Sequence, residues 1–439
     1  MSKKTWAVVA AVALSAGLLV CPRAASGQAN TWAGTSLALL IESAEWRSGL
    51  FRINASLDAD NAGYDSDVLY GYFAEPVRDV TVSVASPTQI FFLLGKKAVI
   101  ELYDKPQFVF YANTTSERAM NNTLEGRAHL VLNRFYFQGG GSIDSVRQRL
   151  SHELDLNVRQ RSNQVNGLAL WQASQEASLA LLYRATRFSY GSVAYQGIEL
   201  ATALNRWEDA FDLISYFQPN SRIRFYVDGQ YGRHIFAEAG PASRNTRSYA
   251  VLGGFEFIPQ TKERRAVPGL HGSLTLGYKR FDVLNPAFSD AGGLAGHVSL
   301  SIGLLEKTTG RIFYSRDFQF SAFAGTAHYI SLNYGGGITR QLTRKVSLTY
   351  DLLFGRSLYP ALDPDLGGIP PPGSNQYTNH MVGVDVRTAR NLRILLLGTY
   401  STRVVDATGQ TRSRIFVGLN LSYGTPKGIV STPISGLSQ

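Results

Sequence analysis

The sequence predicts an all-β fold: a transmembrane, antiparallel, up-and-down β-barrel of about 18 strands, with 16 as the alternative. Three observations carry the prediction. Apolar and polar residues alternate with period two along almost the whole chain. Aromatic residues close the ends of the apolar faces. The N-terminus has the pattern of an export leader.

The leader is the first element. Lys3 and Lys4 give it a positive start, Trp6 to Val20 is apolar, and small residues follow at Ala24, Ala25, Ser26, Gly27 and Ala29. The apolar run is short for a spanning helix, which needs about 20 residues. Residues 1–29 therefore read as a Sec signal peptide, with cleavage after Gly27 or, preferably, Ala29. Cys21 is the single cysteine, and it falls inside this leader. Val20 stands where a lipoprotein signal needs a small residue. The processed chain then has neither disulfides nor thiolate metal sites.

What remains, 30–423, reads as the barrel, followed by a flexible tail at 424–439 rich in Pro, Ser and Gly. Mean hydropathy is −0.08, and no run of 18 apolar residues follows the leader, which excludes a helical membrane protein. The 22 Tyr, 23 Phe and 42 Gly suit strands that face lipid on one side and water on the other. The net charge of +10 loses Lys3, Lys4 and Arg23 with the leader. The remaining excess suits either anionic polymers and lipopolysaccharide or plain solvation of loops and lumen.

The strands show themselves by alternation. Val346, Leu348, Tyr350, Leu352 and Phe354 face one way; Ser347, Thr349, Asp351 and Leu353 face the other. Ile223, Phe225, Val227 and Tyr231 alternate with Arg222, Arg224, Tyr226, Asp228 and Gln230. The same holds for Leu274, Leu276 and Tyr278 against Lys279, for Val298 to Leu304, and for Val382, Val384 and Val386 against Asp385 and Arg387. A soluble sandwich also alternates. The aromatic ends (Tyr278, Tyr334, Phe354, Tyr423), the uniform pattern and the leader favour one closed sheet.

Candidate strands fall near 50–57, 79–86, 98–112, 127–142, 155–171, 176–190, 199–217, 221–236, 247–258, 270–283, 294–305, 311–323, 328–340, 345–358, 379–388, 392–404 and 413–423. These make an odd number, whereas single-chain bacterial barrels have an even one. Thr35 to Glu42 is the expected missing first strand. Short turns at Glu306 to Gly310, Gln341 to Arg344 and Arg387 to Asn391 alternate with longer loops such as Tyr359 to Thr378. Short turns belong on the periplasmic side, so both termini are expected there. On the last strand, Ile415, Val417, Leu419, Leu421 and Tyr423 form an outward face like a barrel-assembly signal.

Several stretches resemble one family. Asp58-Ala59-Asp60-Asn61 with Tyr64 and Asp65, Phe135 to Ser142 followed by Val146 to Arg149, Leu204 to Glu208, and Ser315 to Asp317 with Ser321 resemble the Putative beta-barrel porin 2 group. Glu153, Asp155 and Arg159 to Asn163 depart from its charged stretch. The resemblance implies passage or export of polysaccharide across the outer membrane, with polysaccharide export proteins and the barrel assembly machinery as partners. Outer-membrane lipid and lipopolysaccharide are expected neighbours.

The seven His are scattered, with no metal-ligand spacing, so neither a metal nor a cofactor is expected. Gly139 to Gly141 and Gly335 to Gly337 lack the Lys-Ser/Thr of a phosphate loop. Basic residues are dispersed, which excludes a nucleic-acid site. No catalytic motif is present, and the chain reads as a non-enzyme, an outer-membrane hydrolase being the least favoured alternative. The expected lumen-facing residues are Arg222, Arg224, Asp228, Lys279, Asp351, Asp385 and Arg387. Their mixed signs suit either solute selection or a structural ladder of ion pairs. The expected function is a porin or channel, with a structural partner of an export system as the alternative.

Overall fold

The computed structural model describes residues 31–70, 75–149, 157–195, 198–237, 243–258, 269–323, 326–359, 374–388, 391–405 and 409–424. The expected leader 1–29 and, apart from Gly424, the expected tail lie outside the described residues.

A helix α1, Trp32–Glu42, comes first. The barrel follows as β1 Phe51–Asp65, β2 in two pieces Asp79–Ala85 and Thr88–Leu94, β3 Ala98–Tyr111, β4 Ala119–Val131, β5 Phe135–Arg149 and β6 Asn157–Gln172. Next come β7 Ala177–Tyr190, a short helix α2 Leu200–Leu204, β8 Arg206–Phe217, β9 Ile223–Phe236, β10 Thr246–Phe257, β11 Leu270–Val283 and β12 Ala291–Leu305. The last six strands are β13 Thr308–Phe320, β14 His328–Gln341, β15 Val346–Leu358, β16 Ser374–Arg387, β17 Leu392–Val405 and β18 Gln410–Gly424. Both pieces of β2 bridge β1 and β3, so they act as one strand, and Trp46–Ser48 only folds back on the start of β1. Every neighbouring pair is antiparallel, and β18 returns to β1 with Leu57 opposite Tyr423, which closes an 18-strand barrel.

Closure is irregular at one place. The register slips between Ala59 and Ala62 where β1 meets β18. Asn61 there takes a φ of 52° and donates its N–H to Asn420 Oδ1 at 2.8 Å. Asn is among the few residues that tolerate this region. Just beyond, a Cβ on Gly63 would lie 2.2 Å from the Val417 carbonyl oxygen, so the seam requires glycine. The Asp-Ala-Asp-Asn stretch singled out in the sequence is this bulge.

The outer wall is apolar and ringed by aromatics. Phe217, Phe225 and Phe255 lie side by side on β8, β9 and β10. Tyr183, Phe211, Tyr231 and Tyr249 form a second row across β7 to β10. The rows are six residues apart, about 20 Å along a strand. Exposed Leu179, Leu181 and Leu213 fill the space between. A lipid-facing band about 25 Å tall between two girdles has this form.

Three expectations need correction. Thr35 to Glu42 is not a strand but lies within α1; its apolar residues are consecutive rather than alternating, and Thr31 caps the helix by accepting from Gly34 N–H. The missing strand is instead hidden in 127–142, which is two strands, β4 and β5, joined by a three-residue turn at 132–134. The segment 199–217 is α2 followed by β8. There is a smaller shift too: β16 begins at Ser374, not 379. With this count the turns at 95–97, 132–134, 173–176, 218–222, 306–307 and 342–345 share one end of the barrel. The start of β1 and the end of β18 lie at that same end, as expected of the periplasmic side.

Candidate functional site in the lumen

Side-chain parity fixes what faces inward. On β8, exposed Trp207, Phe211, Leu213 and Phe217 point to lipid, so Arg206, Glu208, Ala210, Asp212, Ile214 and Tyr216 line the lumen. Their neighbours on β9 are Arg224, Tyr226, Asp228, Gln230, Gly232, His234 and Phe236. Read from the periplasmic end outward, this wall has three levels.

The lowest level is apolar. Ile214, Tyr216 and Tyr226 join Leu168, Leu170, Ala180, Val99 and Tyr136 in one cluster with Ala33 and Leu37 of α1. Helix α1 therefore lies inside the barrel. Trp32 meets Tyr216 edge-on at 5.5 Å between ring centres, donates Nε1–H to Ser178 Oγ at 3.2 Å, and lies 3.8 Å below the Arg224 guanidinium. Arg224 also bonds Glu256 at 2.6 Å.

The middle level is polar. Arg184, Glu208, Asp212, Gln230, His234 and Lys279 surround a recess of about 170 Å³, floored by Ala210 and Gly232. Gln230 donates to Asp228 at 2.6 Å, and Lys279 pairs with Asp317 at 2.7 Å. The upper level is an aromatic cage. The Arg206 guanidinium lies 4.4 Å from Phe188 and 5.3 Å from Phe320, and it bonds Glu208 at 2.6 Å. Arg244 is buried there and donates to the carbonyls of Ser321 and Ala203, which ties the ends of two long connections to the wall.

The expected lumen residues are distributed unevenly. Arg224, Asp228 and Lys279 share the β9–β11 wall. Asp351 and Asp385 lie on β15 and β16, where they pair with Arg311 (2.7 Å to Nε) and Arg393 (3.0 Å to Nε). Arg387 is exposed at the periplasmic end of β16, and Arg222 is exposed in the turn before β9. Four of the seven thus sit in ion pairs: Arg224, Lys279, Asp351 and Asp385. Arg184, Glu208, Asp212, Gln230 and His234 are additions. Period two on 206–217 identifies Glu208 and Asp212 once α2 is separated from β8. A further inward network was also not anticipated: buried Glu101 accepts from Gln89 at 2.7 Å and meets His129 Nε2 at 3.0 Å, while His129 Nδ1 meets the Tyr136 hydroxyl at 2.8 Å.

Residues 149–366, which hold the recess and the cage, match the family described as Putative beta-barrel porin 2. Over that segment the chain belongs to this family. It is an outer-membrane β-barrel porin or channel, and an outer-membrane barrel works in lipid. No curated protein matches the sequence. Among solved structures, OpdO of Pseudomonas aeruginosa is similar at 10% identity and a TM-score of 0.47, covering 85% of this chain and 97% of that one. OccAB4 of Acinetobacter baumannii is similar at 10% identity and a TM-score of 0.46, covering 85% and 98%. The siderophore receptor PirA of Pseudomonas aeruginosa gives 10% identity and 0.42, covering 86% and 81%.

Proposed function

We propose that this porin passes or exports polysaccharide or small hydrophilic solutes through its lumen, after delivery by a Sec leader at 1–29. The observation that carries the reading is the polar middle level of β7 to β11, with charges of both signs around a recess floored by small residues. Hydroxylated solutes need donors and acceptors at close quarters, and such a wall supplies them. Eighteen strands make a barrel wide enough for an aqueous path. The resemblance to the porin family favours polysaccharide among these solutes. Arg224, Asp228, Lys279, Asp351 and Asp385 would set the field along the path, and Arg222 and Arg387 would set it at the periplasmic mouth.

Planar-bilayer recording tests this reading. Discrete steps, blocked by added oligosaccharide, are the expected result. A heat-modifiable barrel that never conducts would overturn it. That second outcome would favour a structural partner of an export system, a reading that helix α1 inside the lumen also supports. Lipopolysaccharide contact fits the outer wall at and above the upper aromatic row, where Arg280 lies level with Tyr249 and Arg187, Arg233 and Arg247 are exposed beyond it.

A further inference from the structure

The periplasmic end of the lumen is occupied by the chain itself. Helix α1 carries Trp32, Ala33, Leu37, Leu39, Leu40 and Ile41, with Glu42 as its one charged residue. Ala33 and Leu37 are 1% and 2% exposed against the inward face of the wall, whereas Leu39 is 44% exposed. One side of the helix is therefore glued to the barrel and the other narrows the open space. An 11-residue helix is marginal alone in water, so its form depends on that docking.

We propose that α1 is a resident plug whose seating on the inner wall sets the conductance of the pore, with Arg224 over Trp32 as its latch. The proposal rests on the reading of the lumen as an aqueous path. Three features suit a segment that docks and releases. Its tether to β1 passes through Gly49, whose φ of 52° only glycine adopts freely and which marks the fold-back. The latch is a cation–π contact between a wall side chain and a helix side chain, not a backbone ladder. Arg224 keeps Glu256 as a partner, so release of Trp32 does not strand a buried charge. Arg224, expected as a solute-selecting residue, thereby acts on solutes through the plug.

A disulfide trap tests the plug in the full chain. A Cβ built on Gly34 lies 2.6 Å from Val131 Cγ1, so Gly34→Cys with Val131→Cys joins α1 to β4 across a plausible gap. Oxidation of this double variant is expected to hold the pore in a low-conductance state, and reduction to restore the steps of the unmodified protein. Trp32→Ala, which needs no new contact in the wall, is expected to give a several-fold larger step. If the oxidised, reduced and Trp32→Ala channels all conduct like the unmodified one, the plug is refuted while the channel reading stands. If none conducts and the barrel is heat-modifiable, the channel reading falls and takes the plug with it.

Discussion

A charge inside this barrel is judged by its partner. Glu101 is 2% exposed and touches Gln89, His129 and Arg127, so its carboxylate is held by donors on neighbouring strands. Glu101→Ala leaves those donors facing one another in a dry site. The expected cost is about 3 kcal/mol, read as a fall in the urea midpoint of refolded protein in vesicles. The Arg311–Asp351 pair is more open to lumen water, with the Arg311 side chain 44% exposed. Asp351→Asn is therefore expected to leave the midpoint within about 1 kcal/mol of the parent. Its effect should appear instead as a reversal potential moved toward anion preference, because one negative charge leaves the path. Asp212→Asn is expected to move it the same way. A change toward cation preference in either variant would contradict their placement on the ion path.

The strand is the unit in which lipid and water are sorted. On β7 and β8, Leu181 and Leu213 face each other on the outer wall between the two aromatic rows, while Ala180, Asp212 and Ile214 take the alternate positions inside. Leu181→Arg places a charge near the middle of the hydrocarbon and should cost about 2–4 kcal/mol, measured by the same urea titration. Gln230→Arg, on the inner face of the neighbouring β9, is expected to fold normally and to change conductance alone. A larger loss from Gln230→Arg than from Leu181→Arg would mean that the inward and outward faces had been exchanged. The segment before β8 hides a helical turn inside an apolar run. Leu200 to Leu204 reads as apolar strand when joined to Arg206–Phe217, but Glu199 accepts from Ala201 N–H and starts a helical turn. Likewise β4 and β5 carry opposite phases, Leu130 lying opposite Phe137 on the outer wall, and the phase reversal is confined to a three-residue turn that breaks the alternation too briefly to separate the two strands by period alone.

At the scale of the whole molecule, refolded protein is expected to give a β-type circular dichroism spectrum and an SDS-resistant band that shifts only on boiling. The amino-acid sequence by itself determined the fold class, the closed sheet and the approximate strand number. These come from period two, turn length and the parity of strands, all of which are local and survive without neighbours. Its alternation also set Arg224, Asp228, Asp351 and Asp385 on the polar faces of β9, β15 and β16. Only the tertiary structure decided what those side chains meet. That Arg224 covers Trp32, that Glu208 and Asp212 share a recess with Arg184 and Lys279, and that α1 lies inside the wall depend on contacts between residues far apart in sequence. An apolar stretch of 11 residues is satisfied equally by lipid, by a neighbouring strand or by the inner surface of a barrel. Only the closed barrel offers α1 an inward apolar surface on which a short helix gains enough burial to persist.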